Sequence, residues 1–132
     1  MGRRLRLLFD THALIWWLAG SSSLSMAARA AIANEDNEVF VSAASAMEIS
    51  TKFRLGKLPE GSLLATNLQE YVEEQGFREL PIGIAHGMLA GNFQIAHKDP
   101  FDRLLIAQSL SEGIPLVSNE TLFDGFGVTR LW

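Results

Sequence analysis

Short apolar runs alternate with longer helix-patterned segments along the whole chain, and no other feature restricts its fold as much. Leu5 to Phe9 is an apolar run that stops at Asp10, and residues 11–18 read as a helix. The Ala-rich stretch from Ser25 to Asn34 reads as a second helix with Ser25 as its N-cap. Glu38 to Ser42 is a strand, and Ala43 to Arg54 a helix that stops at Gly56. Ser62 to Gln75 is helical, with Leu63, Leu64, Leu68 and Val72 spaced for one face. A short strand from Phe77 to Leu80 and a short helix from Ile84 to Ala90 follow. Phe101 to Glu112 is an apolar helix closed by Gly113, and Pro115–Ser118 and Val128–Trp132 are the last strands. Strands alternating with helices predict an α/β fold with a parallel sheet covered on both faces.

The 132 residues fit one domain, 1–132, and leave no room for two. At 48% hydrophobic and 20% charged residues the chain is globular, not disordered, collagen-like or coiled coil. It has no cysteine, so disulfides, zinc ribbons and thiol chemistry are excluded, and a reducing, cytoplasmic setting fits. No apolar stretch reaches the ~20 residues of a membrane span, so no membrane partner is expected. Asp10 and His12 break the N-terminal apolar run and argue against a signal peptide. The net charge of −4 leaves nucleic-acid binding to local patches. Three are candidates: Arg3, Arg4 and Arg6; Lys52, Arg54 and Lys57; and Lys98 with Arg103.

In parallel α/β sheets, ligands bind beyond the carboxyl ends of the strands. Acids stand at those positions here. Asp10 follows the first strand, Glu48 lies in the helix after the second, Asp99 and Asp102 open the 101–112 helix, and Ser118 and Glu120 follow the fourth strand. Glu48 and Asp10 have apolar neighbours, where an unpaired acid is costly to bury. Converging carboxylates repel unless a cation lies between them, and an all-oxygen set suits Mg²⁺ or Mn²⁺. Each acid also has a plain structural reading. Asp10 and Asp99 can cap helices, Glu48 can pair with Lys52, Asp102 can face a helix dipole, and Glu120 can sit in a turn.

Four blocks of the chain, in order, resemble PIN domains, most closely the toxin ribonucleases of VapBC toxin–antitoxin pairs. They are Leu7-Leu-Phe-Asp-Thr-His-Ala-Leu-Ile-Trp-Trp-Leu18, Val41-Ser-Ala-Ala-Ser-Ala-Met-Glu-Ile-Ser50 with Leu55-Gly-Lys-Leu58, His97-Lys-Asp-Pro-Phe-Asp-Arg-Leu-Leu-Ile-Ala-Gln108, and Leu116 to Val128 ending in Arg130-Leu-Trp132. The resemblance implies a three-layer α/β/α sandwich and Mg²⁺- or Mn²⁺-dependent cleavage of RNA by a metal-activated water. It places the catalytic acids at Asp10, Glu48, Asp102 and Glu120. Metal ligands would come from Asp10, Asp102 and Glu48, with Asp99 as an extra one. Arg103, Lys98 and Ser118 would contact the substrate. The family's Thr-x-Asp reads Ser118-Asn119-Glu120 here, and the longer Glu allows a water-mediated contact in place of a direct one. The resemblance also implies a homodimer and a VapB-type antitoxin, with Trp16, Trp17, Leu18, Met47, Phe53 and Leu55 as a candidate groove. The competing readings are a PIN-like module that binds RNA or protein without cleaving, a DNA-directed nuclease, a phosphoacceptor receiver domain, and metal-free acid–base chemistry by His12 and His97.

Overall fold

A computed structural model describes residues 4–58 and 62–132. Five strands form one sheet: β1 (Arg6–Phe9), β2 (Glu38–Ser42), β3 (Arg78–Leu80), β4 (Leu116–Val117) and β5 (Arg130–Leu131). Every adjacent pair is parallel, and the spatial order is β3-β2-β1-β4-β5. The helices are α1 (Thr11–Ala19), α2 (Met26–Ala33), α3 (Ala43–Arg54), α4 (Ser62–Glu74), α5 (Ile84–Asn92) and α6 (Pro100–Glu112). A 3₁₀ turn, Thr121–Phe126, links β4 to β5; sequence patterning had marked no element there.

Two cores lie on opposite faces of the sheet, because successive strand residues point to opposite sides. Leu7, Phe9, Val39, Val41 and Val117 face one layer with Leu14, Ile32 and Ile49. Leu8, Phe40, Leu80 and Leu116 face the other with Leu105, Ile106 and Phe123. Burial on both faces explains why the strands read as continuous apolar runs. Among the described residues no helix is long and apolar enough to cross a membrane.

The chain starts at the sheet's centre, builds outward through β2 and β3, then returns to the other flank of β1. The strand order therefore reverses between β1 and β4, where the two carboxyl ends leave a crevice. The N-terminal arginines are at the opposite end. Arg6 opens β1 with its guanidinium over Phe40, and Arg4 pairs with Glu38 at the start of β2. They do not face the crevice, and Arg3 lies outside the described residues.

One buried network fastens the layers behind this edge. The Ser42 hydroxyl caps α3 by accepting from the Ala44 N–H, and it donates to Gln108 in α6. The fully buried Gln108 amide donates in turn to the Leu80 and Pro81 carbonyls. Ser42→Ala removes a cap and orphans the Gln108 oxygen, so a loss of about 2 kcal/mol in unfolding free energy is expected. A denaturant midpoint equal to wild type would refute it.

Candidate active site

Asp10 is the first residue beyond β1, and its backbone N–H donates to the Val117 carbonyl of β4. That bond seats it on the reversal point. Its side chain is 3% exposed and caps α1, accepting from the Ala13 N–H at 2.7 Å. The Ser118 hydroxyl, just beyond β4, also donates to it. Both bonds favour the carboxylate, yet desolvation outweighs them and raises the pKa from 3.8 to about 6. The helix cap and the chemical group are the same carboxyl.

Glu48 projects from the middle of α3 and is 4% exposed. It does pair with Lys52 one turn later, at 2.6 Å. The plain reading of a solvated pair fails on burial: Lys52 keeps a third of its side chain in solvent, and Glu48 almost none.

Asp102 stands in the first turn of α6, half-buried, with its carboxylate 2.9 Å from His97 Nε2. Burial raises its pKa, the His97 bond opposes that, and the charges of Asp99 and Glu48 raise it further. Asp102 in turn raises Asp10. Thus Asp10, Glu48, Asp99 and Asp102, from three separate stretches of sequence, share one electrostatic neighbourhood. Asp99 also performs the capping predicted for it, accepting from the Phe101 and Asp102 N–H groups. A Thr11–Ser45 hydroxyl pair at 2.9 Å, buried, ties the start of α1 to α3 and fixes Asp10's helix against Glu48's.

Three expected substrate contacts fare differently. Ser118 is fully buried, with its oxygen accepting from the Glu120 N–H and its hydroxyl facing Asp10. It positions Asp10 and is not open to a substrate. Arg103 is committed as well. Its Nε donates to the Ala90 carbonyl, Nη1 to Ile95 and His97, and Nη2 to Phe93, all at 2.8–3.0 Å. Its plane also lies over the Phe93 ring. A planar fork satisfies several carbonyls at once, which an expected phosphate contact would forfeit. Lys98 is exposed beside Asp99 and stays open to a substrate. Glu120 is half-exposed after β4, and it is its backbone that touches Ser118.

The structure adds partners that sequence reading passed over. His97, whose sequence reading is a metal-free acid–base group, bonds Asp102 with its ring against Phe126. No spacing rule ties His97 to Asp102; only the loop pinned by Arg103 brings them together. The residues of the expected apolar groove differ in burial. Trp16, Trp17 and Leu18 pack against the first core, with Trp17 Nε1 donating to Gln75, while Met47, Phe53 and Leu55 are exposed. A cleft of about 370 Å³ lies between α3, α4 and β3, lined by Ala43, Ala46, Ala65, Leu68 and Leu80.

The donor set is all carboxylate oxygen, buried or half-buried, and it fits a hard divalent cation. As the side chains stand, no three acids or histidines among the described residues are close enough to share an ion. Glu48 is turned to Lys52, and Asp102 to His97.

Comparison with known proteins places this geometry. The family model for the PIN domain matches residues 7–127. Among curated proteins none matches the chain. Several solved structures share the fold. VapBC2 from Rickettsia felis, bound to a DNA fragment from its promoter, has a TM-score of 0.66 at 12% identity, covering 96% of this chain and 97% of that one. A toxin–antitoxin complex from Klebsiella pneumoniae has 0.60 at 16% identity, covering 87% of each chain. FitAcB from Neisseria gonorrhoeae has 0.57 at 17% identity, covering 94% and 95%.

Proposed function

Because this chain belongs to the PIN domain family, we propose that it is a metal-dependent endoribonuclease acting as the toxin of a toxin–antitoxin pair. The carrying observation is the set of buried or half-buried carboxylates, Asp10, Glu48 and Asp102, gathered where the strand order reverses. Burying that much like charge costs folding free energy and is useful chiefly where a cation is to be held.

Asp10 and Asp102 would hold Mg²⁺ or Mn²⁺, with Glu48 as a further ligand or as the group that orients the attacking water. When bound, such an ion supplies a nucleophilic water at neutral pH and meets charge developing on the phosphate. The chain's own residues set the geometry. Ser118 and the Ala13 N–H fix the Asp10 carboxylate, and His97 fixes that of Asp102. In the metal-free protein Asp10 ionises as the pH rises through about 6, so a cation would compete with a proton for it in mild acid and bind more weakly there than at neutral pH. Lys98 is the cation open to RNA phosphate. Glu120 would act through water on the far side of Ser118. Water attack leaves 5′-phosphate ends and needs no ribose 2′-hydroxyl.

The fold is shared with chains of VapBC2 and of a toxin–antitoxin complex, and this supports an antitoxin of the VapB type as a partner; a homodimer belongs to the same reading. The α3–α4 cleft and the exposed Met47, Phe53 and Leu55 supply apolar surface for such a partner. A cytoplasmic site of action follows from an RNA target.

The test is cleavage of a mixed cellular RNA pool by partner-free protein. Discrete cuts with 5′-phosphate ends are expected with Mg²⁺ or Mn²⁺ and not with EDTA. Ends carrying only 2′,3′-cyclic phosphate would refute it. A second reading, binding without cleavage, draws on the failure of three acids to converge as they stand; tight RNA binding with no turnover under metal would select it.

A further inference from the structure

Lys52 lies outside the set of acids and is absorbed by none of the roles above. Its ammonium is 2.6 Å from Glu48 Oε2, a charge-assisted contact to a carboxylate that is almost fully buried. Asp10 has hydroxyl and amide donors, Asp102 has a histidine, and Glu48 alone is held by a lysine. The Glu48 carboxylate is engaged by Lys52 while no three acids or histidines among the described residues gather around one point. Lys52 has a flexible stem and is one-third exposed, so its head can swing into solvent without unpacking α3.

We propose that Lys52 is a built-in counter-ion that competes with the divalent cation for the Glu48 carboxylate, so that the ion binds fully only as Lys52 lets go. The inference rests on the metal-dependent reading above. An ammonium and a dication on one carboxylate repel strongly in a partly dehydrated site. The lysine therefore keeps Glu48 neutralised while the protein is metal-free, and it sets the free metal concentration at which the site becomes competent. Once released, its charge remains at the rim of the crevice.

The experiment is calorimetric titration of Mn²⁺ into the EDTA-treated, partner-free full chain without RNA. Lys52→Met keeps the stem and removes the charge, and its Kd for Mn²⁺ is expected to fall at least about fivefold. Lys52→Arg keeps the charge and is expected to bind no more tightly than wild type. Glu48→Gln lacks the contested carboxylate, and adding Lys52→Met to it is expected to change Kd by less than about twofold. A full gain in that background would mean a long-range field effect and would overturn competition. So would an unchanged or weaker Kd in Lys52→Met, with wild-type binding leaving the metal-dependent reading intact. No Mn²⁺ binding by any variant would overturn both. Metal-free melting curves check folding, and should Lys52→Met not fold, Lys52→Gln carries the same comparison.

Discussion

Asp10→Asn is expected to abolish RNA cleavage, by at least about a thousandfold, and at the same time to raise the melting temperature of the metal-free protein. The first effect follows from removing a charge at the centre of the carboxylate set. The second follows from the cost of burying it. Asp10 has its pKa raised from 3.8 to about 6 by desolvation, so the folded state holds its proton more tightly than the unfolded chain does. Between those values the folded protein binds more protons, and stability falls as the pH rises. At about 1.4 kcal/mol per pH unit, the full penalty above pH 6 is roughly 3 kcal/mol. Asparagine carries no charge and caps a helix as well as aspartate does, so the Ala13 bond survives. Its amide changes the pairing with Ser118, which returns part of the gain. A net increase of about 1–3 kcal/mol at pH 8 is expected, shrinking towards zero near pH 4. Melting curves of both proteins across that range decide it; a variant less stable at pH 8, or a gap that ignores pH, would sink the account.

Arg103→Met is expected to cost about 3 kcal/mol of stability and roughly 10 °C in Tm. Four backbone carbonyls between Ala90 and His97 lose their charged donor, and the aromatic face of Phe93 loses its cation. The segment carrying His97 then loosens, and limited proteolysis is expected to cut between residues 92 and 98. Arg103→Lys does not rescue, because one ammonium cannot span four carbonyls in fixed directions. Were Arg103 instead a phosphate contact, either variant would melt like wild type and lose only affinity for RNA. Stability and affinity measured side by side separate the two.

The sheet was readable because burial on both faces turns each strand into an apolar run, as Leu7-Leu-Phe9 and Val39-Phe-Val41 show. Helix ends were readable where a local group makes them: Ser25, Asp10 and Asp99 cap as expected, and Gly113 adopts the left-handed turn that stops α6. The 3₁₀ turn at 121–126 was not readable, since only Phe123 of its six residues is buried and no periodicity emerges. The positions of Asp10, Asp99 and Asp102 followed from a strand end and a helix start, and that of Glu48 from its place in the helix after β2. What each polar side chain does with its donors did not follow. Arg103, Ser118 and Gln108 were legible as polar residues, yet the partners of Arg103 and Gln108 are carbonyls and a hydroxyl 6 to 66 residues away, and Ser118 meets the Asp10 carboxylate from a distant stretch of sequence, all chosen by packing. A sequence marks an arginine as a cation; only the fold shows that its cation is already spent.

The meeting of β1 with β4 has a consequence for timing. Asp10 leaves synthesis near the beginning and Glu48 soon after, while Asp102 and Ser118 come from the final third of the chain. Asp10 is seated by a bond to Val117, so the strand that positions the first of these acids is made long after it. A partly made chain that holds only β1, β2 and the helices between them still lacks half the site. The chemistry proposed for the site is thereby withheld until β4 has been made and paired with β1.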